Sequence, residues 1–353
     1  MKILGIETSC DETAAAVAEF KNNKITILSN IVSSQIEIHK KYGGVVPEVA
    51  AREHVLNILP VVHEALKKSG IEKTKNRPDA IAVTIGPGLI TSLQTGAETA
   101  KVLSYVWGIP LLKINHIEGH ISANFISDSS IADLQFPAII LTVSGGHTML
   151  VLMENFGKFK TIGETLDDAA GEAFDKAAKL MGIGYPGGPA VSAEAKKFTT
   201  LSSSAAYQEK LKPIKFPRPL LNSSDLNFSF SGLKTAIRYA LEKDPDWKNK
   251  IPEYCHAFQQ AVMDVLIKKT IRAATKFEAK TIMLAGGVAA NQELREQFKK
   301  QVKKELPKAL FTIPDLKYTT DNAAMIAAAG CLKIKEGKLD AWLDLRVDCN
   351  LKL

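Results

Sequence analysis

The sequence contains few of the residues that stabilise small secreted folds or cross membranes. It has four cysteines in 353 residues, scattered without paired spacing, which argues against a disulfide framework or a zinc ribbon and favours a reducing compartment. No apolar run approaches the length of a membrane span. The first residues become acidic too early for a signal peptide and lack an Arg/Ser-rich transit character. The sequence therefore predicts a cytoplasmic protein with no membrane partner.

An excess of acidic residues is also lacking. There are 45 Lys and Arg residues against 38 Asp and Glu, a net charge of +7. This balance permits a polyanionic partner without requiring one. Neither an RNA-recognition signature nor an Arg/aromatic stripe is present, so any RNA contact is expected to be a surface property of the fold. The length and the 46% apolar content suit two domains with cores of their own.

Histidine is scarce as well, and two of the seven histidines, His116 and His120, stand four residues apart. On a helix this spacing puts both imidazoles on one side, where they could bind one metal ion. A zinc protease needs glutamate directly after the first histidine, and Ile117 occupies that position. Glu118 is expected to point away from the pair. A pair of surface or cap histidines is the alternative, and a third ligand from elsewhere would decide between the two.

The periodicity of apolar residues predicts one series of elements twice. Three strands open each series, at 2–7, 13–19 and 25–31, and again at 138–143, 148–153 and 159–163. A helix follows, at 48–68 and at 168–181. A fourth strand, at 79–85 or 281–285, ends in a glycine turn and leads to another helix and to a last strand at 110–114 or 310–313.

Two copies of βββαβα indicate an α/β protein of the actin/Hsp70/sugar-kinase architecture. In that architecture two ribonuclease-H-like domains face each other across a nucleotide cleft. We expect the first domain at 1–132 and the second at 133–320, with 321–353 packing back on the first. The second copy carries an insertion at about 182–235, rich in Pro, Ser and Lys, which is a lid, a partner surface or a long excursion.

Glycine turns in the second copy offer backbone N–H groups to an anion. One is the hairpin Ser144-Gly145-Gly146-His147, a cradle for a phosphate or a carbonyl oxygen. Another is Gly286 to Asn291, which joins a strand to a helix N-terminus and is the expected place for adenosine and its phosphate. Asn291 is either the N-cap of that helix or a ligand contact. The stretch 185–189 is too rich in Gly and Pro for regular structure and predicts a rigid loop.

Asp321 stands where the last apolar helix opens. As a helix N-cap it would have a purely structural role. Across the cleft from His116 and His120 it would instead complete a site of two imidazoles and one carboxylate. Open positions on such a site suit Fe²⁺, with Zn²⁺ as the next candidate.

Several motifs together resemble one family, the universal tRNA threonylcarbamoyladenosine transferases, called TsaD in bacteria. The resemblance covers residues 2–330, and the bacterial and organellar branch is the more similar one. The motifs are GIETSCDET at 5–13, HIEGH at 116–120, TVSGGHT at 142–148, DDAAGEAFDKAAKLMG at 167–182, YPGGP at 185–189, FSFSGLKTA at 228–236, GGVAAN at 286–291 and TDNAAM at 320–325.

The resemblance implies an enzyme that transfers the threonylcarbamoyl group from L-threonylcarbamoyl-AMP to N6 of adenosine 37. The substrates would be tRNAs that read codons starting with A. The metal ligands would be His116, His120 and Asp321. Asp11 and Glu12 would lie near the reacting carbonyl. The adenylate-binding residues would be Thr142, Val143, Ser144, Gly145, Gly146, Asp175, Gly188 and Asn291. Family members work with a non-catalytic paralogue (TsaB-type) and a small P-loop ATPase (TsaE-type).

The chemistry of the residues agrees with this reaction. A carbamoyl–phosphate anhydride is already activated, so positioning and charge stabilisation suffice, and no Ser/His/Asp or Cys/His nucleophile set is legible. The general base is left open, since Asp11 and Glu12 could equally be turn residues. A kinase of the same fold, a metalloprotease and a non-catalytic scaffold are the alternatives. The kinase would not need the histidines, and the scaffold would lack the metal residues.

Overall fold

The computed structural model describes residues 1–71, 77–126, 134–201, 214–335, 337 and 342–353. The chain divides into two compact units, the first comprising Met1–Leu134 with Ile313–Leu353 and the second comprising Gln135–Thr312. The boundaries expected from the sequence were 132/133 and 320/321. Each unit is built on its own five-stranded mixed sheet.

The sheet of the first unit has the strand order β3-β2-β1-β4-β5. Its first three strands form an antiparallel meander, and β4 and β5 add in parallel on the other side of β1. The strands are β1 Lys2–Glu7, β2 Glu12–Lys21, β3 Lys24–Ser34, β4 Ala80–Gly86 and β5 Leu111–Asn115. The β1 strand is buried from Ile3 to Glu7, as expected for a strand covered on both faces.

Helices cover the sheet of the first unit. They are α1 Ile36–His39, α2 Pro47–Lys68, α3 Ile90–Trp107 and α4 His116–Ser122, to which a later helix, Ala323–Lys335, is added. This later helix packs directly on β1. Gly5 permits the close approach, because a Cβ there would collide with the backbone of Ala323 and Ala327. The returning end of the chain is therefore part of the first unit's core.

The sheet of the second unit repeats the first. Its order, β8-β7-β6-β9-β10, corresponds strand for strand, with the same antiparallel meander and the same parallel additions. The strands are β6 Ala138–Val143, β7 Thr148–Asn155, β8 Lys158–Glu164, β9 Thr281–Ala285 and β10 Leu310–Thr312. The predicted duplication of two ribonuclease-H-like folds is confirmed, with strand ends that differ from the expected ones by up to three residues.

The helices of the second unit continue the numbering, and the helix on β1 completes it. They are α5 Ala170–Met181, α6 Gly187–Leu201, α7 Ser231–Lys243, α8 Ile251–Lys276 and α9 Gln292–Glu305, followed by α10 Ala323–Lys335 in the first unit. Two helices, α6 and the start of α7, occupy the expected insertion, of which 202–213 lies outside the described residues. No helix in the described ranges combines the length and the apolar character needed to cross a bilayer.

The prediction of a rigid loop at 185–189 is wrong for the second half of that stretch, because α6 begins at Gly187. The first turn of a helix has N–H groups without intrahelical partners, so Pro189 costs no hydrogen bond there. The N–H of Gly187 instead donates to Oδ1 of Asp175 at 2.6 Å. The stretch rich in Gly and Pro therefore contains the start of a helix.

Candidate metal centre and nucleotide-binding loops

The two histidines of the HIEGH motif lie on α4, which starts directly after β5. Oδ1 of Asn115 accepts the N–H of Ile117 at 2.8 Å and so caps this helix. The rings of His116 and His120 are both buried, with centroids 4.6 Å apart. Glu118 points elsewhere, since its Oε2 lies 3.5 Å from Nζ of Lys333. The four-residue spacing therefore puts both imidazoles on one side of the helix, as the sequence predicts.

Asp321 joins this pair of histidines. Its Oδ1 lies 3.2 Å from Nε2 of His120 and 3.6 Å from Nε2 of His116. The N-cap of α10 is the next residue, Asn322, whose Oδ1 accepts the N–H of Met325 at 3.1 Å. The alternative in which Asp321 caps this helix is thereby wrong. One ligand atom from each of the three residues lies within 4.8 Å of the others, which makes them a candidate metal centre.

The environment of His120 fits a metal ligand. Both of its ring nitrogens are buried and make no hydrogen bond within the described part of the chain, since the approach to Asp321 is poorly aligned for one. Burial lowers the pKa of His120, so the ring is neutral at physiological pH. A buried polar atom without a partner is costly. A cation bound by the ring would remove that cost.

Glu7 orients the other histidine, and the sequence analysis missed it. Its fully buried carboxylate accepts the N–H of Ser9 at 2.6 Å through Oε1 and the hydroxyl of Thr84 at 2.6 Å through Oε2. The same Oε2 lies 3.3 Å from Nδ1 of His116. A carboxylate only accepts, so it holds a proton on Nδ1 and leaves Nε2 for a cation. The signal in the sequence was an acidic residue at the end of a buried strand.

The same neighbours set the charge of His116. Burial lowers the pKa of its imidazole, but the charges of Asp321 and Glu7 outweigh burial and raise it to about 9. His116 therefore carries a proton on Nε2 when no cation is present. A divalent cation in the cluster would take the place of that proton.

Asp11 and Glu12, the candidates for the base, lie at the turn into β2. The N–H of Gln35 donates to the carbonyl of Asp11 at 3.0 Å, and the hydroxyl of Ser34 donates to Oε1 of Glu12 at 3.2 Å. Burial, followed by the charges of Asp321 and Asp11, raises the pKa of Glu12 to about 10. Glu12 is then protonated at neutral pH and can donate to the Asp11 carboxyl. The assignment of the base to Asp11 or Glu12 stays a prediction.

Replacing Glu12 by glutamine is expected to stabilise the metal-free protein increasingly as pH rises. The wild-type glutamate ionises near pH 4.5 when unfolded and near pH 10 when folded, so the stability present below pH 4.5 is lost progressively between these values. By pH 8 the advantage of Glu12→Gln should be at least about 1 kcal/mol. Urea unfolding with a chelator, at pH 5 and pH 8, measures it. Glu37→Gln, at an exposed site, is the control, and a gap that does not grow with pH contradicts the prediction.

In the second unit, the predicted cradle follows β6. Thr142 and Val143 end the strand, and the turn is closed by the N–H of Ser144 donating to the carbonyl of His147 at 2.7 Å. Gly145 and Gly146 are exposed, and a Cβ on either would meet nothing within 4 Å. The hydroxyl of Thr142 is buried and makes no hydrogen bond among the described residues. The turn thus leaves room for an anion beside open backbone.

Asn291 closes a second loop that adjoins this turn. Gly286 has φ +89° and packs so tightly that a Cβ would collide with the backbone of Val143. Asn291 is the N-cap of α9, accepting the N–H of Leu294 at 3.0 Å. Its Nδ2 donates to Ser192 and Gln259 at 2.9 Å each. The cap expected from the sequence is therefore present, and contact of Asn291 with an adenylate stays a prediction.

Asp175 and Gly188 come together at the start of α6. Through its bond to the Gly187 N–H, Asp175 ties α5 to α6. Gly188 is half-buried, and a Cβ there would meet nothing within 4 Å. At the other end of α5, a Cβ on Gly171 would lie 2.6 Å from the carbonyl oxygen of Ser144. The structure therefore gathers the predicted adenylate residues around one region of the second unit, while their role in binding stays a prediction.

Comparisons with known proteins agree on one family. A family model described as tRNA N6-adenosine threonylcarbamoyltransferase, TsaD, matches residues 26–328. A Bacillus subtilis protein of that name is 49% identical over 344 residues, covering 97% of this chain and 93% of the relative. One from Syntrophomonas wolfei is 49% identical over 327 residues, covering 92% and 90%. The structure of HypF from T. kodakarensis shares the fold, with a TM-score of 0.61 at 14% identity over 95% of this chain and 48% of HypF.

Proposed function

Because the chain belongs to the family of tRNA N6-adenosine threonylcarbamoyltransferases, we propose that it forms N6-threonylcarbamoyladenosine at position 37 of tRNA. The substrates are L-threonylcarbamoyl-AMP and tRNAs that read codons starting with A, and the products are the modified tRNA and AMP. The observation that carries the proposal is the cluster of two buried histidines, His116 and His120, with the half-buried Asp321, within a chain that matches this family over almost its whole length.

The reaction asks little covalent chemistry of the protein. The N6 amine attacks the carbamoyl carbon, the bond from that carbon to the phosphate oxygen breaks, and AMP leaves with the electron pair. One amine proton must go to a base. Positioning of the amine and stabilisation of the phosphate supply the rate enhancement.

The first unit would hold a divalent metal through Nε2 of His116, Nε2 of His120 and a carboxylate oxygen of Asp321. Two imidazoles and one carboxylate with open positions are the donor set of Fe²⁺ sites, and Zn²⁺ is the alternative. When bound, the metal supplies a Lewis acid for phosphate or carbonyl oxygens. Glu7 keeps the ring of His116 in the tautomer that this requires. Asp11 and Glu12 are our candidates to receive the amine proton.

The second unit would hold the adenylate. The open turn from Thr142 to Gly146 offers N–H groups and an unpartnered buried hydroxyl to the phosphate. Asp175 and Gly188 are assigned to the ribose side, and Asn291 to the nucleoside. Three hydrogen bonds hold Asn291 in place. The loop from Gly286 to Asn291 would therefore lose little conformational entropy when the nucleoside binds.

The alternatives left open by the residues are not favoured. A metalloprotease needs a base at Ile117, which is a buried apolar residue, and Glu118 faces Lys333 instead. A kinase has no need of a buried pair of histidines against an aspartate. A scaffold without activity would not need the His/Asp cluster that this chain retains.

Mass spectrometry of tRNA nucleosides tests the proposal. Unmodified tRNA is incubated with threonylcarbamoyl-AMP, with and without the chain and its partners, and ATP turnover is measured in parallel. We expect the modified nucleoside to appear only when the chain is present. Turnover of ATP with a small-molecule acceptor, and no modified nucleoside, would instead establish a kinase.

Two protein partners complete the proposal: a non-catalytic paralogue and a small P-loop ATPase, acting with tRNA in the cytoplasm. For the paralogue we infer a docking face on α2 and α3, which pack side by side. Each apolar side chain of this face is more than half exposed: Val55, Leu56, Leu59, Val102, Tyr105 and Val106. A patch of this kind usually marks an interface. A paralogue would carry the same two helices and could pair with them.

Leu56→Asp is therefore expected to weaken binding of the paralogue at least about tenfold, because it buries a charge in an apolar interface. Isothermal titration of the purified pair measures this loss. Tyr239→Asp, a change at another exposed large side chain, is the matched control and should bind normally. Equal affinity for both variants would remove α2 and α3 from the interface.

A further inference from the structure

The segment 342–353 returns to the first unit and runs along the ends of its parallel strands. The N–H of Asp348 donates to the carbonyl of Ile85 at 2.8 Å, and the N–H of Gly88 donates to the carbonyl of Cys349 at 3.3 Å. Leu345 is 2% exposed and belongs to the core cluster of this unit. The segment is thus anchored on both sides of the loop that follows β4.

From this position the segment reaches Asn115, the cap of the helix that carries the histidines. Nδ2 of Asn115 donates to the carbonyl of Lys352 at 3.1 Å, while its Oδ1 accepts the N–H of Ile117 at 2.8 Å. A backbone carbonyl can only accept, so it selects the orientation in which the amide NH₂ faces the segment. That orientation is the one that leaves the amide oxygen to cap α4.

The cap matters for the metal centre because His116 directly follows it. Helix α4 has seven residues, so the geometry of its first turn sets where both imidazoles lie. Asp321 approaches from a separate segment, the one that precedes α10. Metal–ligand distances in proteins lie within about 0.2 Å of their usual values, so a shifted ring would bind a cation less well. A disordered cap would therefore weaken cation binding without removing a ligand.

A second contact leads from the same place to His116. The loop after β4, which the segment holds at Gly88, donates the N–H of Leu89 to the carbonyl of Ser9 at 2.8 Å. Oγ of Ser9 in turn lies 3.1 Å from Nδ1 of His116. The segment thus supports both the start of α4 and the far side of the first imidazole.

We propose that Asn115 is a positioning residue for the metal centre, and that residues 348–352 set its orientation through the carbonyl of Lys352. The inference rests on the proposed metal role of His116, His120 and Asp321 and goes beyond it. It assigns a task to a segment whose sequence matches no distinctive motif. It also separates residues that bind the cation from residues that place them.

Cobalt titration of the metal-free protein tests the inference, with visible absorption bands as the readout of site geometry. A chain that ends at Val347 and the full chain with Asn115→Ala are each expected to bind Co²⁺ at least about tenfold more weakly, with shifted bands. The two changes share the contact between Asn115 and Lys352, so their combined loss should be smaller than the sum of the two single losses. Asn350→Ala, an exposed side chain in the same segment, should bind as the wild type does.

Four outcomes decide the matter. A shortened chain that unfolds cooperatively and keeps wild-type Co²⁺ affinity and spectrum overturns the inference, as do fully additive losses. Should the shortened chain fail to fold, Asn115→Ser in the full chain replaces it, since serine can cap α4 but has no NH₂ for Lys352, and wild-type binding would again overturn the inference. A wild-type chain that binds no Co²⁺ overturns the proposed metal role itself.

Discussion

Replacing both His116 and His120 by alanine is expected to abolish stoichiometric metal binding and to lower kcat/KM for tRNA modification by at least about a thousandfold. The two imidazoles are two of the three donors in the cluster, and a single carboxylate does not retain a divalent cation at micromolar concentration. Loss of a Lewis acid worth several kcal/mol corresponds to that factor. Metal analysis of the purified chain, together with nucleoside mass spectrometry, measures both effects.

The matched control for this double change is His63→Ala. His63 is an exposed histidine on α2, away from the cluster, so its loss should leave metal content unchanged. Circular dichroism must show that the double variant is folded. We expect it to be, because removing the rings leaves a cavity but also relieves the two unpartnered nitrogens of His120. One equivalent of metal retained at wild-type affinity would remove these residues from the site.

The second large effect is expected from Glu7→Gln, which should weaken metal binding between about tenfold and a hundredfold. Two donors, the N–H of Ser9 and Nδ1 of His116, face opposite oxygens of the Glu7 carboxylate. An amide would turn an NH₂ group towards one of them. Either His116 would lose the acceptor that fixes its tautomer, or the backbone N–H of Ser9 would lose its acceptor.

Competition of Zn²⁺ between the chain and a chromophoric chelator measures this effect. The variant should also be less stable by about 2 kcal/mol, because a buried donor loses its acceptor. Glu98→Gln, at an exposed carboxylate of α3, serves as the comparison and should change neither quantity. Unaltered zinc affinity in Glu7→Gln would show that the carboxylate supports only the fold.

Local pattern was enough to predict the duplicated fold and the family. Runs of apolar residues located the strands of both sheets, because the central strands are buried and the strands are bounded by polar or glycine turns. The motif set identified the family, and the match of the family model confirms it. The pair His116 and His120 could be recognised because residues four apart in a helix lie on the same side of it.

The sequence did not reveal which residues far apart in the chain are in contact. Glu7 meets Thr84 and His116, which stand 77 and 109 residues away, so its position at the end of a buried strand does not reveal which residues it contacts. Asp321 and Asn322 are both good N-caps, and only tertiary packing chooses the second and frees the first for the histidines. The start of α6 was not predicted, because the Gly and Pro residues at 185–189 suggested a loop. The first turn of a helix nevertheless accepts proline.

The first unit is interrupted in the sequence by the whole of the second. During synthesis the ribosome makes His116 and His120 long before Asp321. The face of β1 at Gly5 also stays uncovered until α10 has been made. The nascent chain therefore passes through a stage in which one lobe can mature while the other holds two histidines without their carboxylate. A cation at the proposed centre would therefore find all three of its ligands only after Asp321 has been synthesised.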